Sequence, residues 1–387
     1  MNNTLRHWRE AATLILAAGT QHGKITPRMI PQVAWNDNPK KTTFDYEVLL
    51  LKRSQKSGFM PNAFVFPGGL VEPSDFSNDW MKLFERHSQK PNFGLGVVNQ
   101  SPNTRSPLFL TDRTEFGSLI PGEVAFRICA IRETFEESGV LLVVPENSDI
   151  EDNQNFVDAY EQDLEAVAKW RQEVQNNPLQ FIEMCKELRC VPNIWALHEW
   201  GNWLTPLFSR SSNSRRYDTV FFICCLPRKP LTSDDQKEVS AYKWWTPEEA
   251  IDEYKCQKSW IPPPQFYDLS RLCNFPMIQE LNRFSLHRAL EGCERWLPVL
   301  VHAEDGMLHT LPGDELYPDD PDVTGEMQKK YSTNRTIEDS LREGERIHRL
   351  VHIDGVPIFF VNTKPKHKHV NPLGTDVKRG TEPKSKI

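Results

Sequence analysis

The segment Arg132-Glu133-Thr134-Phe135-Glu136-Glu137-Ser138-Gly139-Val140 constrains the fold of this 387-residue chain more than any other. Apolar residues at Ala125, Ile128, Ile131 (or Cys129) and Phe135 follow a 3.6-residue period, which predicts a helix over 124–138. Gly139 stands where a helix stops, and the apolar run 140–144 reads as a buried strand. On that helix Glu133, Glu136 and Glu137 are related by i, i+3 and i+4, so their carboxylates share one face. Like charges so close weaken a helix unless a hard cation gathers them, and Mg²⁺ and Mn²⁺ prefer carboxylate oxygens. A solvated acidic face is the ordinary alternative for a Glu-rich helix.

Around this helix the apolar runs at 12–17 and 46–53 predict strands, the second nearly all apolar from Val48 to Leu51 and so buried on both faces. A third run, 63–66, ends in Pro67-Gly68-Gly69, a strong chain-turning signal. The stretch 70–121 is polar, rich in Pro, Asn and Ser, and reads as an insertion, helical near 78–86 and otherwise loop. Two polar-faced helices over 151–187, strands at 194–198, 219–226 and 241–245, and a short helix over 247–254 follow. This alternation predicts an α/β fold with a layered core. Beyond Pro262-Pro263-Pro264 the texture changes. A helix near 276–290 precedes two hairpins, 298–310 around Asp305-Gly306 and 349–362 around Asp354-Gly355, with a polar helix near 336–349 between them. The expected division is therefore 1–262, a C-terminal extension over 263–362, and a disordered basic tail over 363–387, where 364–387 carries seven Lys/Arg against two acids.

Charge and cysteine usage narrow the classes. With 46 basic and 53 acidic residues the formal net charge is −7, which argues against a nucleic-acid partner. None of the eight cysteines forms a CxxC pair or a zinc-spaced cluster, so reduced, mostly buried thiols are expected. No apolar run is long enough for a membrane span, and 11–18, which follows mixed-charge residues, reads as a first strand rather than a signal segment.

Taken with the upstream Phe66-Pro67-Gly68-Gly69-Leu70-Val71-Glu72-Pro73, the glutamate helix resembles the Nudix box, with both halves in order and each on its expected element. The resemblance implies a Nudix hydrolase: a mixed sheet sandwiched between helices that cleaves phosphoanhydride bonds with Mg²⁺ or Mn²⁺. It implies that Glu133, Glu136 and Glu137 hold the metal, with Glu133 also a candidate base, the Gly68 carbonyl a further ligand and Arg132 the group that orients the carboxylates. Glu238, just before the strand 241–245, is the candidate for the later acidic ligand of this family. Two departures stand out. The box holds 62 residues (70–131) between Gly69 and Arg132 where a compact box has thirteen, an excess of 49. The early glutamate that pairs with the box arginine has two candidates: Asp75 by spacing and Glu123 by residue type.

Leu49-Leu50-Leu51-Lys52-Arg53-Ser54, running into 62–69, resembles the additional signature of coenzyme A diphosphatases and makes Lys52 and Arg53 candidate phosphate contacts. The long insertion, Asn202-Trp203-Leu204-Thr205-Pro206, Arg216-Tyr217-Asp218-Thr219 and the C-terminal extension resemble the peroxisomal acyl-CoA diphosphatase branch, the Nudix motif nineteen type. That branch implies hydrolysis of CoA and acyl-CoA to 3′,5′-ADP and (acyl-)4′-phosphopantetheine. It also implies peroxisomal delivery, for which Ser385-Lys386-Ile387 resembles the Ser-Lys-Leu address read by the import receptor. A Nudix hydrolase of NADH, ADP-ribose or capped RNA, and a non-catalytic Nudix ligand-binding module, remain the alternatives. Trp200, Trp203, Trp244 and Trp245 are candidate stacking faces, with core packing the commoner fate of any one of them.

Overall fold

The computed structural model describes residues 8–20, 44–148, 156–206, 216–235, 237–324, 326–327, 329–353 and 356–373. Among them an eight-stranded mixed sheet forms the frame. Its strands are β1 (Arg9–Gly19), β2 (Tyr46–Arg53), β3 (Phe64–Val65) and β4 (Gly68–Leu70). After a separate antiparallel pair, β5 (Val143–Pro145) and β6 (Cys190–Pro192), come β7 (His198–Leu204), β8 (Tyr217–Leu226), β9 (Val239–Trp245) and β10 (Arg295–Trp296). The order is β10-β7-β8-β1-β2-β3, with β9 added to β2 and β4 to β1. β1 runs parallel to β8 from Arg9↔Tyr217 to Ala18↔Leu226. Its other edge is shared, by β4 near its start and by β2 at its end. Every side chain from Ala11 to Ala18 is buried, which requires cover on both faces of the sheet.

That cover comes from helices α1 (Gly122–Ser138), α2 (Leu164–Asn176), α3 (Gln180–Glu187), α4 (Pro247–Lys255), α5 (Pro263–Leu272) and α6 (Ile278–Arg288). Alternation along β1 separates the layers: Ala12, Leu14 and Leu16 pack with Ile128, Ile131 and Phe135 of α1. Ile15 and Ala17 pack instead with Phe266 and Leu269 of α5 and Leu281 of α6. The resemblance's mixed sheet between helical layers is present. The long insertion is not a solvated loop: Trp80, Phe84, Phe93, Leu108 and Phe109 join the α1 cluster. Its Arg105 forks onto Glu199 at 2.6 and 2.6 Å and reaches Glu123 at 2.6 Å, joining insertion, helix and sheet.

A second sheet is built from β11 (Val299–His302), β12 (Met307–Thr310), β13 (Tyr331–Ser332), β14 (His348–Ile353) and β15 (Val356–Val361), in the order β13-β11-β12-β14-β15. One face is covered by its own small cluster around Val299, Val301, Leu308 and Val351. The other turns Leu350, Phe359 and Val361 into the cluster of the first sheet's α5 face.

Several sequence expectations change. Residues 194–198 are not a strand: Ile194–Ala196 is a turn of 3₁₀ helix and the strand starts at His198. Burial on all sides produced the apolar run there, and periodicity cannot separate the two. Of the run 140–144 only its end pairs as a strand; Leu141 and Leu142 spend their carbonyls on Tyr160 and Asn193. The polar helix expected near 336–349 is only Ile337–Arg342. The extension does not begin at 263, because α5 and α6 are the second helical layer of the first sheet. Nor is 363–373 a disordered tail. The Arg271 Nε–H donates to the Val370 carbonyl (3.1 Å), Asn274 to that of Asn371 (2.8 Å), and the Leu373 N–H to Ser270 (2.7 Å). His369 is buried against Trp200. Lysine-rich composition hid a backbone that finds its partners on another element. Ser385, Lys386 and Ile387 lie outside the described residues.

Candidate active site

α1 ends at Gly139, whose left-handed backbone (φ 73°) lets its N–H close onto the Phe135 carbonyl. The stop leaves Glu133, Glu136 and Glu137 in the last two turns, facing the loop that leaves β3. That loop must be glycine: a side chain on Gly69 would run into the Glu133 carboxylate, and Gly68, at φ 154°, would press one onto β1. The Gly68 N–H donates to Glu137 Oε2 at 2.9 Å, so the loop is tied to the helix through a carboxylate.

Arg132, 1 % exposed, organises the rest. Nε and Nη2 grip Asp75 at 2.8 and 2.9 Å, Nη2 also donates to the Leu70 carbonyl (2.9 Å), and Nη1 reaches Glu133 (2.9 Å) and Glu136 (2.7 Å). This settles the partner left open by the sequence. Asp75 takes it, its short side chain compensated by a 3₁₀ turn (Pro73–Phe76) that brings it inward, while Glu123 is committed to Arg105. Burial raises the Glu133 carboxyl to about 7, opposed by Arg132 and reinforced by Glu136. Burial also pushes Glu136 up and Glu137 well up, with Glu133 adding to the second.

Asp75, Glu133 and Glu136 thus crowd around one guanidinium with Glu137 next along the helix, and burial works against the charge of the three glutamates. An all-oxygen donor set with surplus negative charge suits a hard divalent cation. In this structure Glu133 and Glu136 face Arg132, and among the described residues no three acidic, His or Cys side chains converge closely enough to form a cation site. The donor chemistry fits a divalent ion with Glu133, Glu136 and Glu137 as its holders. At Gly68 the observed contact is the N–H rather than the carbonyl. Glu238 stands at the edge of the same cavity, and its charge raises both Glu136 and Glu137.

The candidate phosphate contacts separate. Arg53 borders the cavity and helps keep Glu137 charged. It also holds the loop that follows, with Nε to the Phe59 carbonyl (3.0 Å) and Nη2 to Ser57 Oγ (2.9 Å). Lys52, one residue back on the strand, lies over the Phe64 ring at 5.9 Å. It does not join the site. The candidate stackers are also otherwise engaged: Trp200 and Trp203 both donate to Asp268 at 3.0 Å, Trp244 donates to Thr232, and Trp245 packs on Phe64.

The carboxylates open into a cavity of about 1310 Å³ that sequence reasoning did not foresee. Arg9, Lys56, Arg216 and Lys237 add positive charge to its lining, and Trp203, Leu311, Leu350 and Phe359 give it apolar walls. The four cations are scattered along the sequence, and only the fold brings them together.

Fold and site together place the chain among the Nudix hydrolases. A family model for the NUDT19 Nudix domain matches residues 8–272, and one for the NUDT19 C-terminal domain matches 300–358. The chain belongs to the NUDT19 family. It is 65% identical over 373 residues to a Xenopus laevis protein named acyl-coenzyme A diphosphatase NUDT19 (96% of this chain, 97% of that one). The proteins of the same name from Gallus gallus and Homo sapiens are 49% identical over 380 residues (96% and 97%) and 41% over 389 residues (98% and 99%).

Proposed function

We propose that this hydrolase cleaves the diphosphate bond of coenzyme A and of acyl-CoA esters, giving 3′,5′-ADP and 4′-phosphopantetheine or its acyl form. The observation that carries this reading is the single cavity joining the buried carboxylates and Arg53 to an apolar chamber, larger than a compact nucleotide needs. The names borne by its relatives across nearly their whole length support it. Glu133, Glu136 and Glu137, with the Gly68 carbonyl and Glu238 as further oxygen donors, would hold Mg²⁺ or Mn²⁺, which supplies charge neutralisation at the phosphates and a more acidic water. Arg132 keeps Glu133 and Glu136 in register with the glycine loop. Glu133 accepts the proton of the attacking water, and Arg53 faces the phosphates. Delivery to peroxisomes, with recognition of Ser385-Lys386-Ile387 by the import receptor, is part of the same reading and rests on those residues alone. A fluorescent reporter carrying the last dozen residues tests it, and a diffuse signal in import-competent cells would remove it.

The substrate is tested with the purified full chain and Mg²⁺ or Mn²⁺, identifying products from CoA, dephospho-CoA, NADH and ADP-ribose at equal concentration. CoA should be preferred, with 3′,5′-ADP released. Equal turnover of all four would leave a Nudix hydrolase without the CoA assignment.

A further inference from the structure

The cavity runs across the first sheet, and its floor can be read from strand register. Leu70 on β4 pairs with Ala11 on β1, Ala11 with Thr219 on β8, and Thr219 with Trp203 on β7. All four border the cavity. Three ladders at about 4.8 Å each put Trp203 roughly 14 Å from the glycine loop. That is the length of about four extended residues, comparable with a pantetheine arm, whose β-alanine and cysteamine units are of that size.

Beyond Trp203 the wall belongs to the second sheet. Leu311, Leu350 and Phe359 border the cavity, and each is only 2 % exposed, so they form a packed apolar wall rather than an open rim. Leu350 and Phe359 are register partners on β14 and β15. The wall is also stiff. Phe359 packs on Tyr267 (4.8 Å between ring centroids) and Phe266 (5.8 Å), Tyr267 packs on Trp203 (5.6 Å), and the Trp203 indole is pinned by Asp268. An apolar wall facing a cavity gains contacts when an apolar ligand lies against it.

We propose that this apolar wall receives the aliphatic chain of the acyl-CoA ester and that Leu350, paired with Phe359 on it, gauges chain length. The inference rests on the acyl-CoA reading above. An arm anchored by its diphosphate at the carboxylates has spent its length at Trp203, so what continues against Leu311, Leu350 and Phe359 is the acyl group. The C-terminal sheet thereby becomes part of the substrate site, and acyl selectivity is set by a wall that the Nudix portion does not supply.

The test compares kcat/KM for acetyl-, octanoyl- and palmitoyl-CoA in wild type, Leu350→Trp and Leu350→Ala, using the full chain. Each buried methylene is worth roughly four-fold, so Leu350→Trp should lower the palmitoyl-to-acetyl ratio by about ten-fold or more. Leu350→Ala should raise it. Leu311→Phe, a smaller intrusion from the neighbouring position, gives the same readout should the tryptophan variant fail to fold. Ratios within about two-fold of wild type in every folded variant would overturn the wall's role while leaving the CoA reading intact. Absence of 3′,5′-ADP from wild type with CoA and all three esters would overturn the reading itself, and the wall's assignment with it.

Discussion

Arg132 and Glu137 divide the work at the end of α1. Glu137 holds the Gly68 N–H and, by its position among the carboxylates, is a candidate metal holder, so its charge matters more than its hydrogen bond. Glu137→Gln keeps an acceptor for Gly68 but loses the anion. The variant should fold with a near-native melting temperature and lose about a hundred-fold or more in kcat, since a neutral amide is a poorer donor to a hard cation. Near-native turnover in a folded variant would remove Glu137 from the site. Asp75 poses the opposite case, because it never reaches the cavity. It exists to pair with a buried guanidinium, and breaking such a pair leaves Arg132 to desolvated neighbours. Asp75→Asn should cost about 3–5 kcal/mol of stability, read as a lower urea midpoint. An unchanged midpoint would mean that Glu133 and Glu136 suffice to balance Arg132.

At the level of elements, β14 shows how the second sheet is joined to the first. His348 at its start is buried and fixed in a neutral form, with Nδ1 bonded to the Pro312 carbonyl (2.8 Å) and Nε2 to the Tyr267 hydroxyl (2.9 Å). Burial is the main cause that lowers its pKa to about 4, against an ordinary value of 6.5. Because the folded value is depressed, the unfolded chain takes up a proton first as pH falls. The stability involved is therefore intact above pH 6.5 and lost progressively toward pH 4, by about 3 kcal/mol. Between pH 7 and 4 the wild type should lose about that much more unfolding free energy than His348→Gln, which has no such titration. Parallel pH profiles from urea melts would show that His348 charges freely in the folded state.

At the scale of the whole molecule, residues 364–373 act as a strap from the second sheet back onto α5. Lys366 and Lys368 meet Glu294 and Glu291 at the surface, where such pairs contribute little. The buried His369 and the backbone bonds to Arg271, Asn274 and Ser270 contribute more. A chain ending at Thr363 should therefore lose on the order of 3 kcal/mol relative to one ending at Leu373, read by calorimetry. Equal melting of both would show the strap to be ornamental.

What the sequence determined by itself is what depends on local spacing. The glutamate face of α1, its stop at Gly139 and the Pro67-Gly68-Gly69 turn follow from a 3.6-residue period and from backbone freedom, which act within a few residues. The hairpin around Asp305-Gly306 is legible for the same reason, whereas Asp354-Gly355 lies outside the described residues. Tertiary structure decided everything that depends on which distant surfaces meet. Asp75 rather than Glu123 pairs with Arg132 because a turn carries it inward, and Lys52 leaves the site because it lies over the Phe64 ring while Arg53 borders the cavity. The cavity's cations and its apolar wall come from segments hundreds of residues apart, and no periodicity records that Trp203 and Phe359 both pack on Tyr267. Burial of apolar surface is non-directional, so the sequence specifies that such residues must be covered, and only the packed chain specifies by what.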